Sequence, residues 1–167
     1  MTARCGRRCA LVLALTLLLE CTAHAQAPPA LAGFEGWPRT AVEIRTRDGR
    51  QWFNATVADT PERQERGLMF VRALPADESM WFPQAPPHVM TMWMKNTYIP
   101  LDMLFVDARG RIACIRANAT PRSLATLSCP RAVSGVLEIG GGEAQARGIG
   151  VGDRVSIAMA QLSHQST

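Results

Sequence analysis

Apolar and polar residues alternate over short stretches along most of the chain. Val42, Ile44 and Thr46 alternate with Glu43, Arg45 and Arg47, which is a strand signature. Asp48-Gly49 follows as a strong hairpin signal, and residues 51–58 resume the alternation as the return strand, with Phe53, Ala55 and Val57 on one face. Thr60-Pro61-Glu62 opens a helix. The threonine hydroxyl can cap it, proline suits the first helical position, and the glutamate lies at the positive end of the dipole. Gly67 closes that helix within two turns. Further short strands are expected at 79–82, 88–96, 98–107, 111–117, 133–139 and 155–159, with Pro83, Pro86 and Pro87 interrupting the chain between the first two. Gly140-Gly141-Gly142 reads as a strand-to-helix turn needing positive φ, because it lacks the lysine and spacing of a nucleotide-binding loop. Short strands punctuated by turns predict a mainly β chain: a single antiparallel sandwich or barrel-like domain with one or two short helices.

The first 25 residues change where that domain is expected to work. Arg4, Arg7 and Arg8 precede an apolar run from Ala10 to Leu19, and Ala23-His24-Ala25 fits a small-x-small cleavage pattern. The run is too short to span a bilayer, which takes about 20 residues. The expectation is a secretory signal cleaved between Ala25 and Gln26, a periplasmic or secreted protein, and no membrane span afterwards. Residues 26–40, rich in Ala, Pro and Gly, read as a flexible lead-in, 41–160 as the globular domain and 161–167 as a tail. The whole chain carries a formal net charge of +4. Without the signal, 15 basic and 13 acidic residues remain, and a net +2 spread along the chain leaves no footprint for nucleic acid. Cys5, Cys9 and Cys21 leave with the signal. Cys114 and Cys129 stay behind as a candidate disulfide in a compartment that permits one.

Catalytic chemistry is thinly supplied. His88 and His164 are the histidines left after cleavage, no serine sits in a nucleophile elbow, and both cysteines are expected to be bonded. Asp59, Asp102, Asp107, Glu138 and Asp153 could serve a carboxylate-based hydrolase, but nothing in their spacing selects a pair. The run from Thr91 to Asp107, TMWMKNTYIPLDMLFVD, is more informative and holds the only lysine, Lys95. On an uninterrupted strand His88, Met90, Met92 and Met94 would share one face. That face is either core or a soft imidazole and thioether set suited to copper. Trp93 and Lys95 would share the other face, either as the wall of a small-ligand cleft or as a buried indole with the lysine reaching water. Asp102, between apolar neighbours, calls for a partner such as Lys95, Arg66 or Asn96.

The residues also carry a resemblance. ADTPER at Ala58–Arg63, RGLM at Arg66–Met69, the MWMKNTYIPLDMLFVD run and VLEI at Val136–Ile139 together resemble the bacterial and archaeal family called domain of unknown function 192. The central W-M-K-N-T-x-I-P-L-D run is specific to it, and the match extends over about 41–159. Asp77-Glu78-Ser79-Met80 departs from the pattern, since members often have a glycine before that methionine. The resemblance implies a mainly antiparallel β domain with one or two short helices and transfers no activity. The resulting expectation is a non-enzymatic binding or accessory module, monomeric, without a cofactor unless copper is bound. Its cleft would be lined by Arg66, Trp93, Lys95, Asn96, Asp102 and Glu138, for a small polar or anionic ligand or another envelope protein.

Overall fold

The computed structural model describes residues 31–158; the expected signal and tail lie outside these. The chain forms β1 (Arg39–Thr46), β2 (Gly49–Val57), α1 (Pro61–Arg66), β3 (Glu78–His88), β4 (Thr91–Met92), β5 (Leu101–Val106), β6 (Ile112–Ala119), β7 (Leu127–Ser128), β8 (Val133–Gly140), α2 (Glu143–Ala146) and β9 (Arg154–Ile157). The mainly β class holds. Seven strands form one sheet in the order β6-β5-β8-β3-β2-β1-β9, and β4 pairs with β7 in a small second sheet.

Local signals account for many of these elements. Thr46 pairs with Gly49, so the hairpin turns on Arg47-Asp48, one residue before the expected Asp48-Gly49. Thr60 Oγ1 accepts a hydrogen bond from Arg63 N at 3.3 Å, and Gly67 ends α1 at φ 45°. There Gly67 lies against the Phe82 ring, where a Cβ would stand 3.2 Å from Cζ. Gly142, at φ 86°, supplies the left-handed turn into α2.

Three expectations are corrected. The sheet is mixed, because β2 and β3 run parallel, joined by the crossover that contains α1. A parallel neighbour needs a crossover, and the sequence offered α1 without saying which strands it joined. Second, the prolines do not break β3. Pro83, Pro86 and Pro87 lie within it, and a register irregularity between Pro83 and His88 absorbs their missing donors. His88 therefore ends β3 and does not begin a strand to Asn96, where only Thr91 and Met92 are extended. Third, the lead-in packs on the domain from Leu31 onward. Phe34 is buried in the core with Trp37 edge-on to it at 4.9 Å, two aromatic rings whose burial outweighs the loop-forming composition around them.

The sheet is apolar on both faces. Met80, Phe82, Met103, Phe105 and Val136 join Phe34, Leu68, Met90 and Met94 in one core cluster. Trp81, Leu104, Leu137 and Ile139 join Val42, Ile44, Phe53 and Val155 in the other. The second cluster draws on strands from both ends of the sheet, so the sheet curls around it. The edges approach where Arg111 bridges Arg154, and Val155 N donates to Gly110 O at 2.8 Å. The result is barrel-like without being a closed barrel. Gly135 permits the tightest contact in the second core: a Cβ there would stand 2.3 Å from the Trp81 ring and 2.6 Å from the Phe82 carbonyl oxygen.

Cys114 on β6 and Cys129 just after β7 form the expected disulfide, with Cα atoms 5.8 Å apart. It ties the small sheet to the edge of the large one, and Arg116 reinforces the tie by donating to Ser128 O at 2.6 and 2.9 Å. A closed loop of this length contributes about 3 kcal/mol in the chain-entropy account. The double variant Cys114→Ser, Cys129→Ser is expected to lose that amount in equilibrium urea unfolding. A loss under about 1 kcal/mol would mean that the two segments are held without the bond.

Candidate functional site

Three acids are buried among the described residues: Glu78, Asp102 and Glu138. Two are fully engaged. Arg39 Nη2 donates to both carboxylate oxygens of Glu78, at 2.7 and 2.9 Å. Asp102 accepts from the backbone N–H groups of Asn118, Gly142 and Ala144 at 2.8, 3.0 and 2.9 Å. Glu138 is different. It is 3% exposed, makes no hydrogen bond or ion pair among the described residues, and its oxygens are not wholly sealed from the surface. It sits on central strand β8, between Met80 of β3 and Met103 of β5. A carboxylate in such a place is penalised by lost hydration, and burial pushes the Glu138 carboxyl up to about 8.

Its remaining exposure faces a cleft of about 210 Å³. One wall is the end of α1 with the turn beyond it: Gln64, Glu65, Arg66, Gly67, Leu68 and Met69. The other wall is the segment after β3: Met90, Thr91, Met92, Trp93, Lys95 and Thr97. Phe82 and Glu138 form the floor. Gln64 Nε2 donates to Pro83 O at 2.9 Å and seats α1 on β3. Arg66 donates to Gly33 O at 2.9 Å and stacks over Phe34 at 4.9 Å, so the packed N-terminal segment orients it. Lys95 Nζ lies 5.4 Å over the Trp93 ring and forms no ion pair among the described residues. Trp93 is 46% exposed, so the indole is a rim group and not a buried one.

Of the expected cleft residues, Arg66, Trp93, Lys95 and Glu138 line this one cavity. Asn96 faces an adjoining hollow shared with Arg66, Lys95, Met69 and Phe70, and its amide lies 3.8 Å from Met69 Sδ. Asp102 does not belong to the cleft. It pairs with Ile139 while Met103 pairs with Glu138, so Asp102 and Glu138 lie on opposite faces of the sheet. Its partners are backbone donors at the start of α2 and at Asn118, not Lys95, Arg66 or Asn96. Sequence reading missed Phe82, Leu68 and Glu65. No local pattern marks them, because only the parallel crossover brings α1 over β3.

The copper set is not assembled as expected. His88 is exposed at the end of β3, its Nδ1 3.3 Å from Pro86 O. Met90 and Met94 belong to the core, and Met92 is half-buried at the cleft. The continuous strand that would have aligned these four does not form. Among the described residues no group of three or more His, Cys, Asp or Glu is placed to hold a metal ion. A paired-carboxylate centre is not assembled from the candidates either. Asp59 is in an ion pair with Arg63, and Asp102 faces away from Glu138. Among the described residues no helix is long and apolar enough to cross a membrane.

Solved structures resemble this one. A protein of unknown function from Novosphingobium aromaticivorans DSM 12444 matches with a TM-score of 0.74 at 39% identity, over 78% of this chain and 94% of its own. A protein provisionally named a transcription regulator, from Sinorhizobium meliloti 1021, matches with a TM-score of 0.70 at 35% identity, over 72% of this chain and 95% of its own. No curated protein matches the sequence. The model of an uncharacterised family, domain of unknown function 192 (Uncharacterized ACR), matches residues 42–157. That span runs from β1 to β9 and contains both walls and the floor of the cleft, and the chain belongs to the domain of unknown function 192 family.

Proposed function

We propose that this protein is an exported, non-enzymatic binding module that takes a small polar or anionic molecule into the cleft above Glu138. One observation carries the reading: a buried carboxyl without a protein partner opens into a cavity whose rim holds Arg66 and Lys95. Protein donors hold Glu78 and Asp102, and no wholly buried side-chain oxygen among the described residues lacks a partner, so Glu138, whose oxygens open on the cleft, is the buried acid left available to a ligand. Apolar surface from Leu68, Met69, Phe82 and Met90 suits the body of such a ligand, and Gln64, Thr91 and Thr97 beside the charged groups would fix its orientation. The disulfide is the kind that persists in an oxidising compartment, and with the signal-like first 25 residues it supports a periplasmic location. The Sinorhizobium meliloti relative carries the name of a transcription regulator. Here α1 has six residues and α2 four, too short to serve as a recognition helix in a major groove.

The test is a titration of the isotope-labelled protein with a panel of small organic acids, zwitterions and sugars, followed by NMR. Binding is expected to shift the Trp93 indole and the amides of Leu68, Lys95 and Thr97. Lys95→Met is expected to weaken it by about tenfold, the worth of one charge-assisted contact. Shifts that map away from the cleft, or no shift with any class of molecule, would sink the proposal.

A further inference from the structure

Resting on that cleft as a ligand site, we infer that its ligand is a short zwitterion, with a primary amine at Glu138 and a carboxylate at the Lys95 and Arg66 rim. The two polar poles of the cleft are separated. Neither cation lies within ion-pair distance of Glu138, so neither neutralises it. Leu68, Met69, Phe82 and Met90 supply apolar surface to the lining beside the polar Gln64, Thr91 and Thr97. A plain carboxylate would satisfy the rim and leave the floor acid unmatched. A plain amine would match the floor acid and leave Arg66 and Lys95 without a ligand carboxylate. A molecule with opposite charges at the ends of a short methylene chain matches both poles and presents its chain to the thioethers and ring between. The volume of about 210 Å³ is below that of drug-sized sites and suits a molecule of this size.

The inference fixes a proton inventory. Before a ligand arrives, burial holds Glu138 protonated at neutral pH. An ammonium group arriving there pairs with the carboxylate, and the carboxyl proton leaves to solvent. The other titratable or charged groups lining the cleft are Glu65 and Arg66 from α1 and Lys95 from the turn after β4. The flanking strands place Met80 and Met103 beside Glu138, and these do not titrate. Affinity for an amine-bearing ligand should therefore rise as pH rises toward about 8 and level off above it.

Isothermal titration with δ-aminovalerate, valerate and pentylamine tests this on the intact protein. The zwitterion is expected to bind at least about tenfold more tightly than either single-charge analogue. Its affinity should climb by close to tenfold per pH unit between about pH 6 and pH 8. Glu138→Gln should abolish that climb, and Glu138→Asp, which keeps the charge, should retain it. Equal binding of valerate and δ-aminovalerate, or affinity that falls as pH rises, would overturn the zwitterion and leave the cleft standing as an anion site. No binding by any of the three also overturns it, and the wider NMR panel then decides separately whether the cleft binds anything.

Discussion

Asp102→Ala is expected to lower the unfolding free energy by roughly 4 kcal/mol. The carboxylate is wholly buried and accepts three backbone hydrogen bonds, from Asn118, Gly142 and Ala144. Each bond to a charged acceptor contributes about 1.5–3 kcal/mol, and removing the acceptor leaves the donors unsatisfied. Asp102 sits on β5, while those donors come from the end of β6, from the turn after β8 and from the first turn of α2. The side chain thus joins both neighbours of β5 at one end of the sheet. Asp102→Asn should recover only part of the loss, since its amide nitrogen cannot accept. Equilibrium urea unfolding measures both. A loss below about 1 kcal/mol for the alanine variant would show that the turn into α2 is held by other contacts.

Glu138→Gln is expected to do the opposite, and to do it in a pH-dependent way. The folded-state carboxyl titrates near 8 and the unfolded one near 4.5, so between those values the folded protein binds a proton that the unfolded chain does not. Stability of the native sequence therefore falls as pH rises through that window and is level above it. Glutamine is neutral throughout. The two proteins should unfold alike near pH 4.5, and the variant should be more stable at alkaline pH by on the order of 4 kcal/mol. Thermal or urea unfolding of both proteins at about pH 5 and about pH 9 gives the difference directly. Parallel pH profiles would mean that Glu138 is solvated or paired in solution. Retaining an acid at a destabilising position is also what a binding role for it would require.

Much of the framework was legible because its signals are local. The β1–β2 hairpin, the Thr60 cap with Pro61, the Gly67 stop and the Gly142 turn each depend on a few adjacent residues. Trp93 and Lys95 stand apart, since strand parity left the indole either a cleft wall or buried, and the structure exposes it. Their neighbours Met90 and Met94 are buried, although the segment is mostly turn and not strand. Features that depend on register across strands could not be read. Asp102 and Glu138 both look like isolated acids in apolar strands. Only the pairing of Asp102 with Ile139 assigns them to opposite faces, one to a backbone network and one to a cleft. The same holds for β3. Its prolines signal a break locally, but the irregular pairing with β8 lets the strand continue and leaves His88 apart from the methionines.

The rim of the cleft is fastened by main-chain contacts. Phe70 N donates to Asn96 O, Met94 N to Ser123 O and Arg122 N to Thr97 O, at 2.9, 3.1 and 3.0 Å. Phe70, Asn96 and Arg122 all hold left-handed backbone angles at these junctions. None of the three contacts uses a side chain. The shape of the mouth is thus largely independent of which groups decorate it. Exchanging Trp93 or Lys95 would change the groups at the opening while the loops keep their course. On the proposed binding role, such a frame would let the specificity of the cleft change one residue at a time.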